Sequence, residues 1–156
     1  MIPWSRDGLE LVARFTRVEA TVLADLVEQS LQIIEDSVSG DPDAPRDPAL
    51  ARLLPTAYPE DEASAEVFRR STEGALVARK VANARVVIDT LHAGTVRLAP
   101  TEVQAWLRAL TDLRLIIATR LGIEHDDDPG HGDEFLAEVY PWLGYLQGSM
   151  LEAMEA

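Results

Sequence analysis

Apolar residues recur along most of the chain at three- and four-residue spacing, the period of a helix with one face on a core. Val18, Val22, Leu23, Leu26, Val27, Leu31, Ile34 and Val38 make one such stripe. Thr16 and Glu19 stand just ahead of it in the capping-box pattern, so a helix is expected over 16–38. Asp47 followed by Pro48 suits a cap and first helical position, and Pro55 bars continuation, which predicts a short helix over 48–54. The longest proline-free run spans 60–93 and stops before Gly94. Its small residues Gly74, Ala75, Ala78 and Ala82 suggest close approach of neighbouring helices on more than one side, which marks this helix as the central one. A fourth helix is expected over 101–121, with Thr101 and Gln104 as its capping box, Val103, Trp106, Leu107, Leu110, Leu113, Ile117 and Leu121 as its stripe, and Gly122 as a left-handed cap. A fifth, 134–154, carries Phe135, Val139, Trp142, Leu143, Leu146 and Met150, with Pro141 marking a kink or local break.

Two segments carry the other period. Ile2 to Phe15 alternates about the turn dipeptide Asp7-Gly8 and reads as a small hairpin. Thr95 to Leu98, bounded by Gly94 and Pro100, reads as a third short strand joined to it. The proline- and aspartate-rich segment 39–46 has no periodicity and is expected to be a mobile loop. The sum is a single domain over 1–156, mainly α and close to all-α: about five helices around a long central helix, with a small β element at 2–15 and 95–98.

Composition narrows the chemistry. There is no cysteine, which removes disulfides, thiolate nucleophiles, iron–sulfur clusters and cysteine-ligated zinc. No apolar run approaches the ~20 residues of a membrane span, and the first residues lack a leader pattern, so a cytoplasmic protein with no membrane partner is expected. The net charge of −13, from 27 acidic and 14 basic residues, disfavours nonspecific nucleic-acid binding. It suits a basic protein partner.

Candidate catalytic groups are few. Glu60, Asp61 and Glu62 fall at a helix start, where negative charge complements the dipole, and no serine elbow or phosphate-binding glycine loop occurs. The acidic segment 124–133 holds His125 and His131, but its spacing matches neither a zinc helix motif nor a calcium loop, and it reads as a solvated connection. No catalytic, cofactor-binding or metal-ligating residue is assigned. Arg69, Arg70, Arg79, Lys80 and Arg85 give the long helix positive character, partly neutralised by the i,i+4 pairs Glu66–Arg70 and Arg69–Glu73. Asp112 and Arg114 interrupt the apolar run from Trp106 to Leu121, and a charge there must be paired. An ion pair from Asp112 to Arg85 or Arg108, joining two helices, is expected. Arg69, Arg70, Arg85, Arg108, Asp112 and Arg114 are thus the candidate interaction or ion-pair residues.

Four blocks also carry a resemblance: residues 53–58 (LLPTAY), 66–73 (EVFRRSTE), 106–115 with 119–123 (WLRALTDLRL and TRLGI), and 139–147 (VYPWLGYLQ). In matching order over nearly the whole chain they resemble an actinobacterial family of unknown function whose genes lie beside that of the ClpS protease adaptor. Some of its members are described as the oxidative-stress transcription regulator AosR. The resemblance implies a small helical cytoplasmic protein that regulates transcription with an alternative sigma factor through a cysteine pair. The absence of cysteine here prevents that thiol switch from transferring. The expected function is a non-enzymatic regulator or adaptor in transcription regulation or stress response, binding a sigma factor, RNA polymerase or a Clp component. The alternatives are a DNA-binding regulator, which needs a continuous arginine patch, and a metal-dependent enzyme using the histidine loop. A homodimer is a further expectation, drawn from the exposed aromatics.

Overall fold

The computed structural model describes residues 1–39, 47–54, 62–125, 128 and 130–156, with residues 39 and 62–71 described in their backbone alone. The segment 40–46, most of the expected mobile loop, lies outside the described residues, as do positions 60 and 61 of the long helix. The elements run β1 (Ile2–Asp7), β2 (Glu10–Phe15), α1 (Arg17–Ser39), α2 (Pro48–Leu53), α3 (Glu62–Thr90), β3 (Gly94–Leu98), α4 (Pro100–Arg120) and α5 (Glu134–Glu155). The three strands make the chain mainly, not wholly, α.

The sheet is antiparallel in the order β1-β2-β3. Gly8, at φ +65°, takes the left-handed turn between β1 and β2. Alternation puts Leu11, Ala13 and Phe15 of β2 and Val96 and Leu98 of β3 on the buried face, with Leu11 opposite Leu98 and Ala13 opposite Val96. On β1 the register shifts between Ile2 and Ser5, around Pro3, and Trp4 alone is buried. An edge strand tolerates such a proline because its missing N–H need not face a partner. Trp4, Phe15 and Trp106 meet with ring centroids 5.3 to 6.1 Å apart. The indole N–H of Trp106 donates to Thr90 Oγ1 at 2.8 Å.

The hub of the bundle is α4, not the longer α3. It packs on all four other helices and on β2 and β3, and buries residues on nearly every turn from Val103 to Ala118. On α3, the small residues Gly74, Ala75, Ala78 and Ala82 are exposed, and a Cβ at Gly74 would meet nothing within 4 Å. A small side chain at a helix interface and one on a solvated face leave the same mark in a sequence.

A second apolar cluster joins α2 (Leu50, Leu53) to Ile34, Val77 and Ile116. Asp47 caps α2 by accepting from Ala49 N, and also takes a bidentate pair from Arg120 at 2.6 and 2.8 Å. The Arg120 guanidinium holds the Asp47 carboxyl below its usual range despite partial burial.

Several local expectations shift. Helix α4 starts one residue earlier than 101, with Pro100 at its first position, and Glu102 instead of Gln104 reaches back to the Ala99 N–H at 2.8 Å. Helix α5 continues through Pro141 without a break. The terminal stripe residues Val18, Val38 and Phe135 are half or more exposed, because each lies at a helix end beyond the packed layer.

Candidate functional site

The strongest constellation of charge lies in a groove over α4. The pairs Lys80–Asp112 and Trp106–Thr90 set α3 antiparallel to α4, and Gln147 contacts at Leu107 and Thr111 set α5 along its other side. Because α3 and α5 both pack on α4 and make no substantial contact with each other, one face of α4 stays open between them. The groove has a volume of about 590 Å³. From α3 it takes Leu76, Arg79, Lys80 and Asn83, from α4 Leu107, Arg108, Thr111 and Asp112, and from α5 Gln147 and Leu151. These are helical spacings of three, four and seven residues, so each helix offers one continuous edge.

Its floor is an ion pair. Lys80 Nζ donates to Asp112 Oδ1 at 2.7 Å, with 15% and 12% of the two side chains exposed. Burial pushes the Asp112 carboxyl above its ordinary value, and the hydrogen bond and charge of Lys80 offset only part of that. One wall is fixed by Gln147, whose amide donates to Thr111 Oγ1 at 2.6 Å and to the Leu107 carbonyl at 3.2 Å while its oxygen accepts from Arg114 Nη1 at 3.0 Å. Arg114 in turn lies 5.1 Å over the Tyr140 ring. Gly144 makes room for it, since a Cβ there would sit 3.3 Å from Nη2.

The groove holds three cations, Arg79, Lys80 and Arg108, against one carboxylate. Among the described residues, Arg79 and Arg108 make no ion pair or hydrogen bond, so the matched Lys80–Asp112 pair leaves two uncompensated guanidinium groups.

Of the residues singled out in the sequence, Arg79, Lys80, Arg108 and Asp112 come together here, and Arg114 stands behind Gln147 at the edge. The Asp112 ion pair does join two helices, but its partner is Lys80: the register of α3 on α4 sets Lys80 level with Asp112, while Arg108 points to solvent. Arg85 is elsewhere, bonded to Glu35 of α1 at 2.8 Å. The side chains of Arg69 and Arg70 lie outside the described residues. Gln147 and Thr111 were not singled out, and isolated polar residues on amphipathic helices carry no signal that would have found them.

In the histidine segment, Asp128 accepts from the backbone of Gly130 at 2.9 Å and Glu124 at 3.3 Å, and these donors lower its pKa. The His131 ring lies over Gly122, whose φ of +68° closes α4 as expected. Among the described residues no three acidic or histidine side chains converge as metal ligands, and no helix is long and apolar enough to cross a membrane. Asp126 and Asp127 lie outside them.

Comparison with known proteins places this architecture. A family profile described as "Domain of unknown function (DUF2017)" matches residues 1–154. A candidate oxidative stress regulator AosR of Mycobacterium leprae is 31% identical over 145 residues, covering 81% of this chain and 67% of that protein. The oxidative stress regulators AosR of Mycobacterium tuberculosis and Mycobacterium bovis are each 27% identical over 177 residues, covering 92% of this chain and 81% of theirs. No solved structure matches the chain significantly. Matched over residues 1–154, the chain belongs to the DUF2017 family.

Proposed function

We propose that this protein is a non-enzymatic cytoplasmic regulator of the stress response that works by binding another protein. The observation that carries the reading is the likeness to the mycobacterial oxidative stress regulators, which extends over 92% of the chain. Regulation by thiol oxidation has no residue to act on. The groove's carboxylate is engaged by Lys80 at 2.7 Å, which argues against its service as a free general base. The charge of −13 argues against unaided binding of DNA, and Arg85, one of the arginines such a patch would need, is bonded to Glu35. A sigma factor, RNA polymerase or a Clp component is the class of partner proposed.

Affinity purification of the tagged full chain from its native cells, with mass spectrometry and a parallel assay for retained DNA, tests this. Recovery of one of these partners at stoichiometric level supports the reading. Recovery of DNA without a protein partner, or of the chain alone, overturns it.

A further inference from the structure

The chain as a whole repels acidic ligands, yet the groove over α4 is locally cationic. Its excess resides in Arg79 and Arg108, which stand on opposite helices with no acidic partner among the described residues. A guanidinium meets a carboxylate through two parallel hydrogen bonds, which a protein side chain supplies as readily as a free anion. Apolar groups alternate with these charges: Leu76, Leu107 and Leu151, one from each helix, the last 49% exposed. The α3 edge from Leu76 to Asn83 is seven residue steps, about 10 Å or two helical turns. That is the length over which a bound amphipathic helix presents its i, i+4 and i+7 anchors. Beside Arg79, the exposed Ala75, Ala78 and Ala82 leave the outer face of α3 low enough for another helix to lie close.

We propose that this groove is the docking site for an acidic amphipathic helix of the partner protein, whose apolar stripe seats on Leu76, Leu107 and Leu151 and whose flanking carboxylates pair with Arg79 and Arg108. The proposal rests on the reading of the protein as one that acts by contact. A second copy of this chain is a poorer occupant, because it brings a further charge of −13 and the same cationic groove.

The test is an amide NMR titration of the full chain with two synthetic helical peptides that share one apolar stripe, flanked by glutamate in one and by lysine in the other. The glutamate peptide is expected to shift amides of residues 76–83, 107–112 and 147–151. The Arg79→Glu/Arg108→Glu variant should lose that binding by at least about tenfold, as removal of charge-assisted bonds predicts, and gain affinity for the lysine peptide. Arg52→Glu/Arg85→Glu, which changes the net charge equally away from the groove, should retain it. Shifts outside the groove, equal response to both peptides, no localised response, or saturation of the same amides by acetate or phosphate alone would overturn the proposal. Purification with the wild-type chain and the Arg79→Glu/Arg108→Glu variant separates the two readings. A partner recovered equally by both removes the groove assignment and leaves the contact reading standing, whereas a partner recovered by neither removes the contact reading itself.

Discussion

Ser149 Oγ accepts the backbone N–H of Trp4 at 2.8 Å, in a buried position between α5 and β1. Ser149→Ala strands that donor away from water, and urea unfolding should show a loss of about 2 kcal/mol, within the roughly 1–3 kcal/mol of an unsatisfied buried group. The Lys80–Asp112 pair is asymmetric. A lysine left alone can extend toward water along its flexible stem, but a carboxylate left alone stays enclosed. Lys80→Met is therefore expected to cost about 2 kcal/mol and Asp112→Asn about half of that, both below the roughly 3–5 kcal/mol of a fully buried pair because some solvent reaches each side chain. The raised pKa of Asp112 adds a pH signature. The folded protein keeps that proton to higher pH than the unfolded chain, so the carboxyl favours folding most below its ordinary 3.8 and loses that advantage as pH rises through its raised value. Measured from about pH 4 to about pH 7, the stability difference between wild type and Asp112→Asn should shift in favour of the variant.

At the start of α1, element and sequence agree closely. Thr16 Oγ1 accepts from Glu19 N at 3.2 Å and Glu19 Oε1 accepts from Thr16 N at 2.8 Å, the reciprocal box read from those two residues. Thr16→Ala should lower stability by about 1 kcal/mol in chemical denaturation, with the loss confined to the start of α1 in hydrogen exchange. Arg120 ties α2 to α4 through Asp47, and its removal to alanine should cost up to about 1 kcal/mol, discounted for the exposure of the pair. Because the Asp47 pKa is lowered in the fold, that contribution is present above its ordinary 3.8 and fades as pH falls through the depressed value, so the variant and wild type should converge in acid. The caps of α1 and α2, the periodicity and the third strand were legible because they depend on residues a few positions apart. The centrality of α4, the solvent-facing alanines of α3 and the choice of Lys80 over Arg85 were not. Each depends on which turn of one helix lies against which turn of another, a register set by the packing of the whole core. For the same reason the groove could be read only as scattered charges, four of which, Arg79, Lys80, Arg108 and Asp112, belonged to it.

At the scale of the molecule, 27 acidic residues against 14 basic ones make self-repulsion a standing cost of compactness. Raising ionic strength from about 0.01 to 0.15 M shortens the Debye length from roughly 30 to 8 Å, so the melting temperature should rise over that interval, as calorimetry would show. The arrangement of the sheet has a further consequence, in time instead of energy. The β1–β2 hairpin carries Trp4, Leu11 and Phe15 on one face, yet its third strand comes some eighty residues later and Ser149, the acceptor for Trp4, later still, in α5. The hairpin is made before the helices that cover it. During synthesis its aromatic face must wait for α4 and α5, and that interval of exposure is when the nascent chain most depends on whatever shields it.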